Sequence, residues 1–277
     1  MSTAALRHEA GAFVGFLERQ KNIYRRFWAW EAVWFVYSLV SVMSIGYLAS
    51  GLEANGVAGS TDLRATQLYL LAGSMLWSYL SLVFMEVAYI VAWERWEGTI
   101  EYTFMAPVRR ATHLLGICVF AVLYGMARTA AVVLVALLVF HVDLSHADLV
   151  AAAAVLAAAT VPLIGMGILI AILPLLAPEK GEQMSTALQG LFLLVSGVYY
   201  PVTVLPLPLQ AMGAVSPLTY TLSAIRDALL HRAHLGAVLP AIGLLVVMGA
   251  LLIPVALWLF GLAERRAKRL GTLKRSG

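Results

Sequence analysis

Six long apolar runs, separated by short polar segments, organise the chain. They lie at about Phe27–Ser50, Thr66–Trp93, Thr112–Phe140, Leu149–Leu176, Met184–Leu205 and Ala237–Leu262. A helix needs roughly 20 apolar residues to cross about 30 Å of hydrocarbon, and each run meets that length. The runs are continuous and rich in Leu, Ala and Val. A membrane barrel would need short alternating strands instead. The pattern therefore predicts an all-α, polytopic membrane protein with six transmembrane helices. Pro162, Pro174 and Pro254 fall inside predicted spans. Proline removes a backbone donor and kinks a helix, which membrane helices tolerate where neighbours satisfy the freed carbonyl. They read as packing kinks or as hinges.

Three segments outside the runs carry their own pattern. Before the first run, Ala10–Tyr24 places Phe13, Phe16, Leu17 and Tyr24 at helical spacing on one face. This predicts an amphipathic helix lying on the membrane surface. After the second run, Glu94–Pro107 mixes polar and apolar residues. Gly98-Thr99 breaks the chain and starts a short helix. Glu101 falls in its first turn, where the helix dipole favours an acid. Ile100 and Phe104, four apart, share a face, and Pro107 stops the helix. An exposed apolar face here would dock a soluble partner or rest on the membrane. The third segment, Ser196–Arg232, is apolar but divided by Pro201, Pro206, Pro208 and Pro217. It predicts two short re-entrant helices before the last span, about Pro208–Val215 and Pro217–Leu230. Ser216 is the candidate N-cap and Pro217 the first helical position of the second.

Composition agrees. The 277 residues are 61% hydrophobic and 12% charged, with a mean hydropathy of +0.86. A soluble domain is roughly 25% charged, so soluble classes are excluded. The net charge is +4, but the cations flank apolar spans, which argues against nucleic acid as a partner. One side would carry Arg7, Arg19, Lys21, Arg25, Arg26, Arg95, Arg109, Arg110, Lys180, Arg265, Arg266, Lys268, Arg269, Lys274 and Arg275. The other side would carry only Arg64, Arg226 and Arg232. The positive-inside rule then places both termini in the cytoplasm. The chain reads as one unit, 1–277: a cytoplasmic amphipathic segment 1–26, the six-span bundle 27–262 and a basic cytoplasmic tail 263–277. No removable signal peptide is expected at its start. The single cysteine, Cys118, excludes an internal disulfide.

Two of these segments together resemble the ABC-type-2 permease family, the membrane subunits of ATP-binding-cassette exporters. The first matching set is Glu94, Glu97, Gly98-Thr99-Ile100-Glu101, then Pro107 and Arg109-Arg110. The second is Ser196-Gly197, Tyr199-Tyr200-Pro201, Leu205-Pro206, Ser216-Pro217-Leu218-Thr219-Tyr220 and Arg226. Ser216 stands where the family more often has Asn. An early Arg-Tyr…Ser-x-Leu-Gly stretch, typical of polysaccharide-exporting members, is missing. The resemblance therefore implies a drug-like or lipid-like cargo, with lipid-linked polysaccharide export as the alternative.

The resemblance further implies a bacterial inner (cytoplasmic) membrane, a homodimer of permeases and one cytoplasmic ATPase subunit docked on each. ATP and Mg would sit on those subunits. The chain has no Gly-x-x-x-x-Gly-Lys-Ser/Thr phosphate cradle, so it is read as a non-enzymatic permease subunit that binds no cofactor. A coupling helix at Ile100–Met105 would meet the ATPase through Glu94, Glu97, Gly98, Thr99, Ile100, Glu101, Phe104, Met105 and Pro107. The outer re-entrant segment would involve Tyr199, Tyr200, Pro201, Pro217, Tyr220 and Arg226.

Glu86 and Arg128 lie deep within spans. An unpaired charge there costs at least about 2.5–3.5 kcal/mol on insertion scales. They pair with each other, or are satisfied separately by carbonyls and hydroxyls, or Arg128 holds an anionic headgroup. His231 and His234 are three apart but lack a third ligand, so no metal site is predicted. Trp28, Trp30, Trp34, Trp93, Trp96 and Trp258 read as interfacial anchors. An ion-coupled secondary transporter would show internal repeats, and none is visible. An intramembrane enzyme would need a catalytic set, and no such set is found.

Overall fold

A computed structural model of the chain describes residues 3–54, 63–140, 147–230 and 233–271. Eleven α-helices form among them. They are α1 (Thr3–Arg26), α2 (Trp28–Ala54), α3 (Leu63–Trp96), α4 (Ile100–Met105), α5 (Arg110–Phe140) and α6 (Leu149–Ile170). The others are α7 (Ile172–Leu176), α8 (Gly181–Val195), α9 (Leu207–Val215), α10 (Pro217–Leu230) and α11 (Leu235–Leu270), with a 3₁₀ turn at Val202–Val204. His141, His146, His231, Arg232, Lys274 and Arg275 lie outside the described residues.

Five helical stretches are long and apolar enough to cross a membrane among the described residues: Trp28–Leu48, Thr66–Trp96, Arg110–Phe140, Leu149–Leu176 and Leu235–Leu270. The predicted fifth span, Met184–Leu205, needs correction. Its helix, α8, ends at Val195 after 15 residues. Gly197, at φ 73°, then turns the chain, a conformation glycine adopts without penalty. At 1.5 Å per residue α8 is about 22 Å long, short of the hydrocarbon thickness. Contacts at its ends nevertheless carry the chain from one end of the bundle to the other. Gly181 packs on Pro174, whose carbonyl is bonded by Arg95 near the end of α3. The carbonyls of Gly197 and Val198 meet Arg226, which stacks on Tyr69 near the start of α3.

Close packing explains several local features. In α6 and α11, Gly165 faces Leu252 and Gly249 faces Val161 and Pro162. A Cβ on Gly249 would sit 2.6 Å from Val161 Cγ1. Small residues let membrane helices approach in this way. Pro174 ends the fourth apolar run in a separate short helix, α7. The buried Arg95 satisfies its last carbonyls, donating to Pro174 O and, at 3.2 Å, to Leu175 O.

The predicted amphipathic start is part of the longer helix α1, and its apolar face is covered by the bundle itself. Phe16 lies 4.7 Å ring to ring from His113, and Tyr24 lies 4.9 and 4.5 Å from Phe120 and Tyr124 of α5. The expectation that this face rests on lipid is thus replaced by packing on α5.

Candidate functional site

The polar residues that sequence reading scattered over several segments converge at one end of the bundle, around α4. Two local devices form this helix. The first ends α3 in a Schellman motif: Gly98 N–H donates to Arg95 O at 3.1 Å and Thr99 N–H to Glu94 O at 2.8 Å, with Gly98 at φ 74°. The second ends α4 itself. Ala106, before Pro107, is extended at ψ 141°, as the proline ring requires of its predecessor.

Glu94 sits beneath α4 with 0% of its side chain exposed. Its Oε1 accepts from Arg19 Nη1 at 2.6 Å and from Thr103 Oγ1 at 3.4 Å, and lies 3.1 Å from His113 Nε2. Arg19 also donates to Thr99 Oγ1 at 3.2 Å and lies 3.6 Å from Glu97 Oε2. One carboxylate therefore joins α1, α3, α4 and α5. Arg110 holds the other end of α4. It donates to Thr103 O at 2.7 Å and to Phe104 O, and its guanidinium lies 4.2 Å from the Phe104 ring centre. The same guanidinium donates to both Glu264 oxygens at 3.1 Å, and Glu264 also pairs with Lys268 at 2.7 Å. Carbonyls at a helix C-terminus favour such a cation. Glu9 on α1 accepts from Thr112 and from Arg109 N.

This geometry corrects which face of α4 is open. Ile100 and Phe104 do share a face, but it is turned inward: Ile100 is 0% exposed, and both belong to the buried cluster that includes Val91, Ile117, Leu175 and Phe260. Glu94 is likewise engaged inside the protein, and its carboxylate is not offered at the surface. The open face carries Glu101, Tyr102 and Met105, with Trp96, Glu97 and Pro107 beside it. Tyr102 and Met105 are each 79% exposed. Gly98 and Thr99 are half-buried.

Farther along α3, Glu86 and Arg128 do not form an ion pair. Arg128 donates to Trp34 O and, at 2.6 Å, to Ser38 Oγ on α2. Glu86 lies near the Tyr24 phenol of α1. Burial, then the nearby Glu86 and Glu31, push the Tyr24 phenol above its ordinary pKa, so it stays neutral. Tyr124 OH donates to Glu31 at 2.5 Å. Glu31 stands out in the sequence as one acid at the start of an otherwise apolar run. Arg19, His113 and Glu264 were missed as partners. Glu264 was the most legible, because it falls on the stripe of Ala256, Phe260, Ala263 and Ala267 that α11 buries.

At the opposite end, Arg226 joins α10 to the turn after α8. It donates to Gly197 O at 2.8 Å and to Val198 O, with its guanidinium 3.6 Å from the Tyr69 ring centre. Tyr200 OH donates to Leu194 O and Tyr220 OH to Ala214 O. Pro217 is buried, and Ser216 Oγ lies 3.4 Å from Ser196 Oγ. Tyr199 is half-buried and Pro201 exposed. From residue 69 to residue 94, α3 rises about 37 Å, so the two polar clusters occupy opposite ends of one rigid rod.

A family model described as ABC-2 type transporter matches residues 14–230. The match takes in both polar clusters' elements from α1 through α10. No curated protein matches the chain.

Proposed function

Since the chain belongs to the ABC-2 type transporter family and is accordingly a membrane-embedded ABC permease, we propose that it exports a hydrophobic or amphiphilic, drug-like or lipid-like substrate out of the cytoplasm. ATP hydrolysis on a separate soluble subunit drives it. Both termini and α4 face the cytoplasm, α8 completes a sixth crossing, and α9 and α10 are re-entrant from outside. Two permease copies pair, each with one ATPase subunit, in a bacterial cytoplasmic membrane.

The observation that carries this reading is the bracing of α4. A six-residue helix is far too short to be stable alone. Here it is held at its start by Arg19 and Glu94 and at its end by Arg110 and Glu264. A push on its open face is thereby passed to α1, α3, α5 and α11 together, which moves spans as rigid rods. The contact with the ATPase falls to Glu101, Tyr102 and Met105, with Glu97 and Pro107 at the rim. Ile100, Phe104 and Glu94 fix the helix from below, and Gly98 and Thr99 set its angle.

The test is co-purification of the permease with its ATPase subunit, comparing wild type with Tyr102→Ala/Met105→Ala. The pair is expected to lose ATPase association at least tenfold, as loss of about 1.4 kcal/mol of contact would give, while membrane yield is unchanged. Undiminished association in a monodisperse variant would discard α4 as the docking element.

A further inference from the structure

The last two turns of α11 present a second, separate cluster of cations. Arg265, Arg266 and Arg269 are exposed and, with Leu262, line an open cleft of about 440 Å³. Positions 262, 265, 266 and 269 are three or four apart and share one helix face. That face is opposite the buried stripe of Phe260, Ala263, Glu264 and Ala267. Lys268 and Arg110 share Glu264 as an ion-pair partner. No acid is paired with Arg265, Arg266 or Arg269 among the described residues.

The same face continues into the apolar part of the helix. Leu251, Val255, Trp258 and Leu262 are all exposed and repeat at intervals of three and four. Leu251 to Arg265 spans 14 residues, about 21 Å of helix. An exposed apolar strip that ends in three unneutralised guanidiniums has the polarity of an anionic amphiphile. Guanidinium forks bind phosphate oxygens bidentately, and the strip matches the length of an acyl chain in one leaflet.

We propose that this face of α11 is a binding site for an anionic phospholipid, whose phosphate headgroup lies among Arg265, Arg266 and Arg269 and whose chain lies along Leu262, Trp258 and Val255. The lipid holds the end of α11 at the membrane boundary. Glu264, on the other side of the same turn, then clamps α4 through Arg110. A bound headgroup therefore steadies the α4 junction without touching it. The inference requires α11 to cross a bilayer and is independent of cargo or transport direction.

The test uses the full-length chain purified in detergent and examined by native mass spectrometry against phosphatidylglycerol and phosphatidylcholine. Wild type is expected to retain phosphatidylglycerol and to release phosphatidylcholine. Arg265→Gln/Arg266→Gln/Arg269→Gln is expected to weaken phosphatidylglycerol binding on the order of 100-fold, following the contribution of each cation near an anionic surface. The control Arg25→Gln/Arg26→Gln, an exposed pair on α1, is expected to bind as wild type. Equal loss in that control, or unchanged retention in the triple variant, would overturn the site. Displacement of the lipid by millimolar inorganic phosphate would instead assign the cleft to a soluble anion and overturn the lipid reading.

Discussion

Single side chains at the α4 junction carry unequal weight. Glu94 is wholly buried, with Arg19 and His113 as partners. Glu94→Ala leaves those partners facing an uncharged void. Breaking a buried pair costs about 3–5 kcal/mol. Arg19 is partly exposed and recovers water, so a loss of about 3 kcal/mol is expected in thermal unfolding of the purified protein. Adding Arg19→Ala is expected to cost less than the sum of the two single changes, since both remove one interaction. Strict additivity would mean that the two groups do not cooperate. Arg128 is a different case. Its bonds to Trp34 O and Ser38 Oγ tie α5 to α2, and a hydrogen bond to a charged group is worth about 1.5–3 kcal/mol. Arg128→Leu is expected to lower the melting temperature while export per folded molecule persists. A folded but inactive variant would return Arg128 to the role of headgroup ligand. That an intramembrane arginine needs partners was legible in the sequence. Which partners it finds was not, because Trp34 and Ser38 sit about 90 residues away and look like ordinary span residues.

Helix ends and helix crossings set the next scale. Gly98 turns the chain from α3 into α4 with positive φ, so Gly98→Ala is expected to cost about 1–2 kcal/mol. On the proposed coupling role of α4, ATPase coupling is expected to fall more than protein yield. Unchanged coupling of hydrolysis to transport in this variant would contradict the bracing mechanism. The α6–α11 crossing offers a cleaner contrast. Gly249→Leu drives a side chain into Val161 and Pro162, whereas Gly243 has open space around it. Folded yield is expected to drop sharply for the first and to stay within about 0.5 kcal/mol of wild type for Gly243→Leu. Equal behaviour of the two would mean that α6 and α11 do not meet there. The bounds of α9 and α10 were legible because prolines and a serine punctuate them. The end of α8 was overrun, because apolar residues continue past Gly197 and composition alone does not reveal a turn.

At the scale of the whole molecule, α1 and the last turns of α11 are gathered at one end of the bundle. Glu9 of α1 bonds Thr112, and Glu264 of α11 bonds Arg110. Five full-length crossings alone would separate them, so the return leg along α8 matters to topology. The only cysteine, Cys118, is buried, which leaves introduced thiols free of background. Tyr102→Cys and Leu270→Cys are expected to react with an impermeant thiol reagent only from the cytoplasmic side, and Val204→Cys only from outside. Labelling of all three from one face would remove the sixth crossing.

Local chemistry along the chain was enough to determine that the protein lives in a bilayer, where its long helices lie, where α4 starts and stops, and which segments resist a simple span. Those properties follow from hydrophobic runs, glycine, proline and charge, each read over a few residues. Only the folded bundle decided that Ile100 and Phe104 face inward, that Glu94 is shared among four helices, and that Arg110 links α4 to the last helix. The physical reason is distance along the chain. Arg110 and Glu264 are 154 residues apart, and no local pattern specifies which acid a buried cation meets until helix packing has brought the two together.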